Sequence, residues 1–189
     1  MSAAKRDYDV IVVGGGPAGL FSAYYLAANS DLDVLLIEKG KPPLKRKCPI
    51  TGSRECKRCK PCNILAGMGG AGLFSDGKLN FIHRLGKTDL TQFMGEAEAK
   101  SLINETEEIF NSHGMDGQVY PTDMEAAKDI RINARKHGME LLLIRQKHLG
   151  SDNLPAHIAG MVESLKEAGV TIHTSEEVRD AVVEDGRVV

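Results

Sequence analysis

Three features near the start of the chain predict an α/β fold with parallel strands. A β-branched run, Tyr8 to Val13, stops at Gly14; a helical stripe begins immediately behind Pro17; and a second apolar run, Asp33 to Glu38, ends in an acid. A short continuous apolar run bounded by glycine is the pattern of a strand buried in a parallel sheet. Pro17 suits a first helical position, where its missing N–H costs nothing, and Leu20, Ala23, Tyr24 and Ala27 follow at i, i+3, i+4 and i+7. Strand, helix and strand in that order make one βαβ unit.

From Gly40 to Gly77 prolines, cysteines, basic residues and glycines replace periodicity, so an ordered loop region is expected. Beyond Lys87, Thr88 or Asp89 is expected to cap a helix with Leu90, Phe93, Met94 and Ala97 on one face, running toward Phe110 and ending near Gly114. Thr122 and Glu125 suggest a capping box for a helix to about His137, stopped by Gly138. Met139 to Ile144 reads as a strand. Pro155 opens a further helix with Ile158, Met161, Val162 and Leu165 on one stripe and Gly169 beyond its end. Val170 to Thr174 reads as a strand, and Val178 to Val183, a turn at Glu184-Asp185-Gly186, and Arg187 to Val189 read as a hairpin. The second arm of that hairpin has three residues, so the natural protein is expected to continue past Val189. No internal repeat is found.

A chain of 189 residues, 42% apolar, can bury a core. Its formal net charge of −2 gives no general attraction to nucleic acid or an anionic membrane. No apolar run approaches the roughly 20 residues that span a bilayer, and the short run after Lys5 and Arg6 does not make a signal peptide. A cytoplasmic location is expected, where clustered cysteines more often bind metal or do redox work than form scaffold disulfides.

Gly14, Gly15, Gly16, Pro17, Ala18 and Gly19 satisfy G-x-G-x-x-G between a strand and a helix. Gly14 permits the tight turn, Gly16 lets backbone approach a pyrophosphate, and Gly19 lets the helix pack on the strand. Free N–H groups at the helix start and its positive dipole end, equivalent to roughly half a charge, favour a diphosphate. Glu38 lies 19 residues after Gly19 at a strand end, where a carboxylate accepts from ribose hydroxyls and repels a 2′-phosphate. A glycine-rich turn that binds nothing, beside a solvated strand-end acid, is the plain alternative; the agreement of strand, turn, helix, second strand and acid argues against it. The motif specifies a site for an ADP moiety, which FAD and NAD share.

VIVVGGGPAGLFSAYYLA followed by DVLLIEKG resembles the opening of the glutathione-reductase-type flavoproteins. KRKCPITGSRECKRCKPCNILAGMGGAGLFSDGKLN and RQKHLGSDNLP are similar, more narrowly, to bacterial FAD-dependent dehydrogenases, or NAD(P)/FAD-dependent oxidoreductases. The resemblance covers nearly the whole chain. It implies a Rossmann-like FAD/NAD(P)-binding fold truncated at the C-terminus, FAD as cofactor, NAD(P)H as a potential electron donor, and a dehydrogenase acting on an unspecified small molecule. It implies residues 1–86 as the FAD-binding unit with its cysteine- and glycine-rich loop, 87–150 as a mainly helical insertion toward the substrate, and 151–189 as an incomplete return. Lys39, beside Glu38, joins the cofactor contacts. Gly69 and Gly70, in the second cluster GMGGAG, and Ser75 are implied as further contacts, where only backbone without side chains comes close enough; a flexible loop with a turn at Ser75 to Gly77 is the alternative.

Cys48, Cys56, Cys59 and Cys62 have the spacing C-x7-C-x2-C-x2-C, whose two-residue gaps let thiolates converge on zinc or an iron–sulfur cluster, which spacing does not separate. Nine basic residues between Lys39 and Lys60, Arg46 and Arg54 among them, offset thiolate charge. Reduced non-ligating cysteines or a redox disulfide are the other readings. Arg145, His148, Ser151 and Asp152 lie between a predicted strand and helix, and His148 is the one candidate acid or base; His83 and Arg84 have less support. Glu105, Glu107 and Glu108 read as a solvated helix face. The rival functions are a NAD-binding enzyme or sensor, a metal-binding module docking RNA or protein, and an inactive fragment.

Overall fold

The computed structural model describes residues 7–50, 55–150, 152–185 and 187–188. Lys5, Arg6, Arg54, Ser151, Gly186 and Val189, named above, lie outside them. In chain order the elements are β1 (Val10–Val13), α1 (Pro17–Asn29), β2 (Val34–Glu38), β3 (Lys78–Phe81), β4 (Arg84–Leu85), β5 (Thr88–Asp89), α2 (Glu96–Ser112), β6 (Val119–Tyr120), α3 (Met124–Lys136), β7 (Arg145–His148), α4 (Leu154–Glu167), β8 (Thr171–Thr174), β9 (Val183–Glu184) and β10 (Arg187–Val188). They fall into two compact units, Met1–Ser75 with Leu154–Val189, and Asp76–Asn153.

The first unit holds the expected βαβ unit and adds β8, giving a parallel sheet in the order β1-β2-β8. Val10 pairs with Val34 and Val13 with Ile37 on one side of β2, and Leu35 with Thr171 and Glu38 with Thr174 on the other. The central β2 is therefore the most deeply covered strand, with Val34, Leu35, Leu36 and Glu38 buried, as continuous apolar runs in parallel sheets are. From α1 the core takes Leu20 and Ala23; from α4 it takes Met161, Val162 and Leu165. Full burial of Leu20, Leu36, Met161 and Leu165 contributes about 1.5–3 kcal/mol each. Of the helical stripes read from period Leu20, Ala23, Met161, Val162 and Leu165 are buried and Tyr24, Ala27 and Ile158 are half-buried, and α4 packs against α1 and the 3-10 turn Pro43–Lys45. The expected strand Val178 to Val183 shrinks to Val183–Glu184, which pairs with Arg187–Val188.

The second unit is an antiparallel sheet, β3-β7-β6, with α2 against β3. It begins before β3 because Lys78 to Phe81 pair with His148 to Arg145. Three sequence expectations change here. The helix placed from Leu90 is interrupted: Asp89 caps only a 3-10 turn, Leu90–Gln92, by accepting from Thr91 N, Phe93 is 82% exposed, and α2 starts at Glu96. The α3 cap is Asp123, which accepts from Ala126 N at 2.9 Å; Thr122 stands one residue outside. Met139 to Ile144 is irregular, and the strand is the following polar segment Arg145–His148.

Glu107 is also displaced from its expected solvated place. It is buried on α2, with Oε2 2.7 Å from Arg145 Nη2 and Oε1 3.1 Å from the buried Lys147 Nζ. Lys147 donates to Asn111 Oδ1 as well, and both cations lie over the Phe81 ring. A buried carboxylate so paired ties α2 to the sheet.

Candidate functional site

Where β1 ends, Gly14 turns the chain with φ +103°, a conformation that side chains disfavour, while its N–H still donates to Ile37 O at 2.8 Å. Gly16 is the N-cap of α1 and offers no side chain to the helix. The first-turn N–H groups of Ala18 and Gly19 have no preceding helical carbonyl, and there is no side-chain cap and no acid in the first turn. A positive, uncapped helix end of this kind suits an anion. Gly19 is sterically obligatory: a Cβ there would lie 1.9 Å from Gly14 O.

Glu38 completes the corner differently from the simplest expectation. It is 6% exposed; its Oε2 accepts from Gly15 N at 2.8 Å and its Oε1 from Gly40 N at 2.7 Å. The carboxylate therefore fixes the turn itself, binding the tip of β2 to the end of β1. Each oxygen keeps a further lone pair. The same residue lines a cleft of about 280 Å³ with Val13, Gly14, Ile37, Lys39, Glu176, Glu177 and Val178. Three carboxylates against Lys39 give this cleft negative charge, which suits an uncharged sugar and base and repels an added phosphate.

Glu176 to Val178 escaped the sequence reading, which placed Val178 in a hairpin strand. They follow β8, and Ser175 N to Gly40 O (2.8 Å) and Glu176 N to Glu38 O (3.2 Å) extend the β2–β8 ladder to the cleft wall. The available signal was position: clefts of open α/β sheets lie beyond the carboxyl ends of the strands.

The second glycine cluster packs on the first. Gly69 N donates to Gly15 O at 2.8 Å, and a Cβ on Gly70 would lie 3.3 Å from Gly16 Cα and 3.2 Å from Pro17 Cδ. Gly70 has φ +65°; Ser75 is exposed, with its N–H on Gly72 O. Arg46 organises this loop, a role that a reading of basic charge could not single out. It is 3% exposed, and its guanidinium donates to the carbonyls of Asn63 (2.9 Å), Ile64 (2.7 Å), Gly67 (3.3 Å), Met68 (2.8 Å) and Gly70 (2.7 Å), with its Cζ 4.9 Å from the Phe74 ring centroid.

Cys48, Cys56, Cys59 and Cys62 are free thiols, and among the described residues no group of three or more His, Cys, Asp or Glu converges as a metal site. The arrangement gives the zinc and iron–sulfur readings no support. His148 belongs to the second unit; it is exposed, its Nε2 is 2.9 Å from Asp76 O, and it is absent from the lining of this cleft. Arg145 is engaged by Glu107, Arg84 by Asp89 at 3.3 Å, and His83 Nε2 lies 3.9 Å from Glu96. Among the described residues no helix is long and apolar enough to cross a membrane.

Residues 9–45, which contain the corner and Glu38, match the family model described as FAD dependent oxidoreductase. A 42-residue stretch is 48% identical to thioredoxin reductase of Listeria monocytogenes, covering 22% of this chain and 13% of that protein. A 37-residue stretch is 54% identical to sarcosine oxidase subunit beta of Arthrobacter, covering 19% of this chain and 9% of that subunit. The whole chain aligns with 42% of the 3-ketosteroid-delta4-(5alpha)-dehydrogenase of Rhodococcus jostii RHA1, with a TM-score of 0.52 and 15% identity, a likeness of fold. The chain thus spans less than half of that enzyme and matches a small part of each curated relative.

Proposed function

We propose that this chain binds the ADP part of FAD at the β1–α1 corner and forms the nucleotide-binding portion of a FAD-dependent oxidoreductase of the glutathione-reductase type. The single observation that carries the proposal is Glu38, buried and bonded to Gly15 N and Gly40 N, between an uncapped helix start and a cleft. In this assignment Gly16, Ala18 and Gly19 receive the diphosphate through their backbone N–H groups, and Pro17, which has none, fixes the helix start beside it. Glu38 uses its remaining lone pairs for ribose, and Lys39 with Val178 borders the adenosine. Gly69 and Gly70 keep side chains away from that corner, and Ser75 closes the loop behind them. When bound, FAD supplies hydride and electron transfer; the polypeptide supplies position, charge and exclusion of water. Nucleotide binding belongs to Met1–Ser75 with Leu154–Val189, and the substrate side to Asp76–Asn153. The four free thiols accord with a cytoplasmic location.

Calorimetric titration of the chain with FAD, ADP, NAD and 2′-phospho-ADP tests the assignment. ADP and FAD should bind, and 2′-phospho-ADP should bind about tenfold more weakly than ADP, because about 1.4 kcal/mol of repulsion from Glu38, Glu176 and Glu177 suffices. Gly16→Val, folded by circular dichroism, should abolish ADP binding. NAD binding tighter than FAD would favour the NAD enzyme instead, and absence of ADP binding would remove the site.

A further inference from the structure

In the second unit β3 is an outer strand of the sheet β3-β7-β6. The bond from Leu149 N to Gly77 O, 2.8 Å, makes Gly77 and Leu149 a hydrogen-bonded pair of the antiparallel ladder, so by the register Leu79 with Lys147 and Phe81 with Arg145 are bonded pairs too. The main-chain groups of Lys78 and Asn80 therefore point away from β7. Lys78 N–H turns back to the Asp76 carboxylate. Lys78 O, Asn80 N and Asn80 O take no backbone partner among the described residues.

A cleft of about 280 Å³ runs the length of this edge, with all of β3 as one wall and Ile103, Thr106 and Phe110 of α2 as the other. The Thr106 hydroxyl donates to Leu102 O at 2.8 Å, which leaves the α2 wall without a free donor. An apolar wall beside a row of outward amide and carbonyl groups fits an extended chain, whose backbone satisfies the strand edge while alternate side chains enter the cleft. A small apolar molecule would fill the cleft and leave the edge unsatisfied.

Charge narrows the occupant further. Glu107 and Asn111 mark the side of α2 that faces β7. Turning around the helix away from them come Ile103 and Phe110, then Thr106 and Leu102, then Glu98 and Glu105. Leu102 is 38% exposed and both acids are exposed, so they rim the space beyond β3. The one cation of α2, Lys100, is engaged by Glu96, and neither Glu98 nor Glu105 is in an ion pair among the described residues.

We propose that the β3 edge docks an extended segment of another polypeptide, with an apolar side chain in the cleft and a basic residue two places to either side of it. Side chains two places apart share a face, so both basic residues point toward the acidic rim. Lys78 O and both main-chain groups of Asn80 bond to the backbone of the docked segment. The inference is independent of the nucleotide site.

The peptide acetyl-Lys-Thr-Leu-Thr-Lys-amide, titrated into the isotope-labelled full chain and followed by amide nuclear magnetic resonance, tests it. Resonances of Asn80 and Ile103 should shift, with a Kd of about 1 mM or tighter. N-methylation of both threonine amides, which face the strand, should weaken binding about tenfold or more, whereas N-methylation of the leucine amide, which faces away, should leave it within about twofold. Glutamate in place of both lysines should weaken binding about tenfold at low salt, a difference that shrinks at high salt. Asn80→Pro removes an outward N–H and no ladder bond, so it should fold, shown by circular dichroism, and lose the peptide. Equal effects of threonine and leucine methylation would overturn the proposal, and these peptides decide it even should Asn80→Pro not fold. So would unshifted Asn80, equal binding of the glutamate peptide at low salt, or a dimer in sedimentation velocity that Asn80→Pro abolishes, which would give the edge to a second copy of this chain.

Discussion

Replacing Glu38 by glutamine keeps the volume of the side chain and changes only what its two terminal atoms can do. In the protein both oxygens accept from backbone, at 2.8 Å from Gly15 N and 2.7 Å from Gly40 N, and the residue is 6% exposed. The Glu38→Gln side chain has one oxygen, so its NH2 must face one of those two N–H groups, donor against donor. One charge-assisted bond, worth about 1.5–3 kcal/mol, disappears, the other becomes a weaker neutral bond, and one buried N–H is left unpaired at about 1–3 kcal/mol. With partial relaxation the net destabilisation is about 3 kcal/mol, a large share of the roughly 5–15 kcal/mol typical of a folded domain. At an m-value of about 2 kcal/mol per molar urea the midpoint should fall by about 1.5 M with little change in slope. Urea unfolding followed by far-ultraviolet circular dichroism measures it. A midpoint within about 0.3 M of the parent would mean that the carboxylate does not hold the corner, and the reasoning from Glu38 to the nucleotide site would fail with it.

Substitutions at other positions probe further steps. Gly19→Ala places a methyl 1.9 Å from Gly14 O and should destabilise by about 3 kcal/mol or more, whereas Gly72→Ala, with nothing within 4 Å, should stay within about 0.5 kcal/mol; thermal melts compare them. Arg46→Lys retains the charge but cannot serve five carbonyls at once, and should cost about 2–4 kcal/mol and speed proteolysis between Lys47 and Gly67, read by limited digestion. Glu107→Gln leaves Lys147 buried without its counter-ion and should cost about 3–5 kcal/mol, while the double replacement Glu107→Leu with Lys147→Met should recover most of it; equal losses in single and double variants would refute the ion-pair account.

The legible parts of this chain are those in which one local rule acts alone. The period of Leu20 and Ala23, and of Met161, Val162 and Leu165, identified faces that are buried, because a helix can hide only one stripe. Gly14 and Gly19 were readable because a tight turn and close packing of helix on strand require the absence of a side chain. Local rules failed where two elements share a residue. Arg145–His148 is a strand with no apolar alternation, made by pairing to β3 on one side and β6 on the other, while the apolar run before it remains irregular. Glu107 looked solvated because its cations, Arg145 and Lys147, stand far along the chain on another element.

What the sequence determined by itself is the βαβ corner, its uncapped helix start and the acid at the second strand's tip, since these follow from steric limits and hydrogen-bonding capacity within about 30 residues. Tertiary structure alone decided three further things: the double use of Glu38 on two backbone amides, the choice of Arg46 among nine basic residues, and the addition of Glu176 to Val178 to the cleft. Each depends on which carbonyls and amides long-range pairing brings within about 3 Å, a distance that no spacing in the chain encodes.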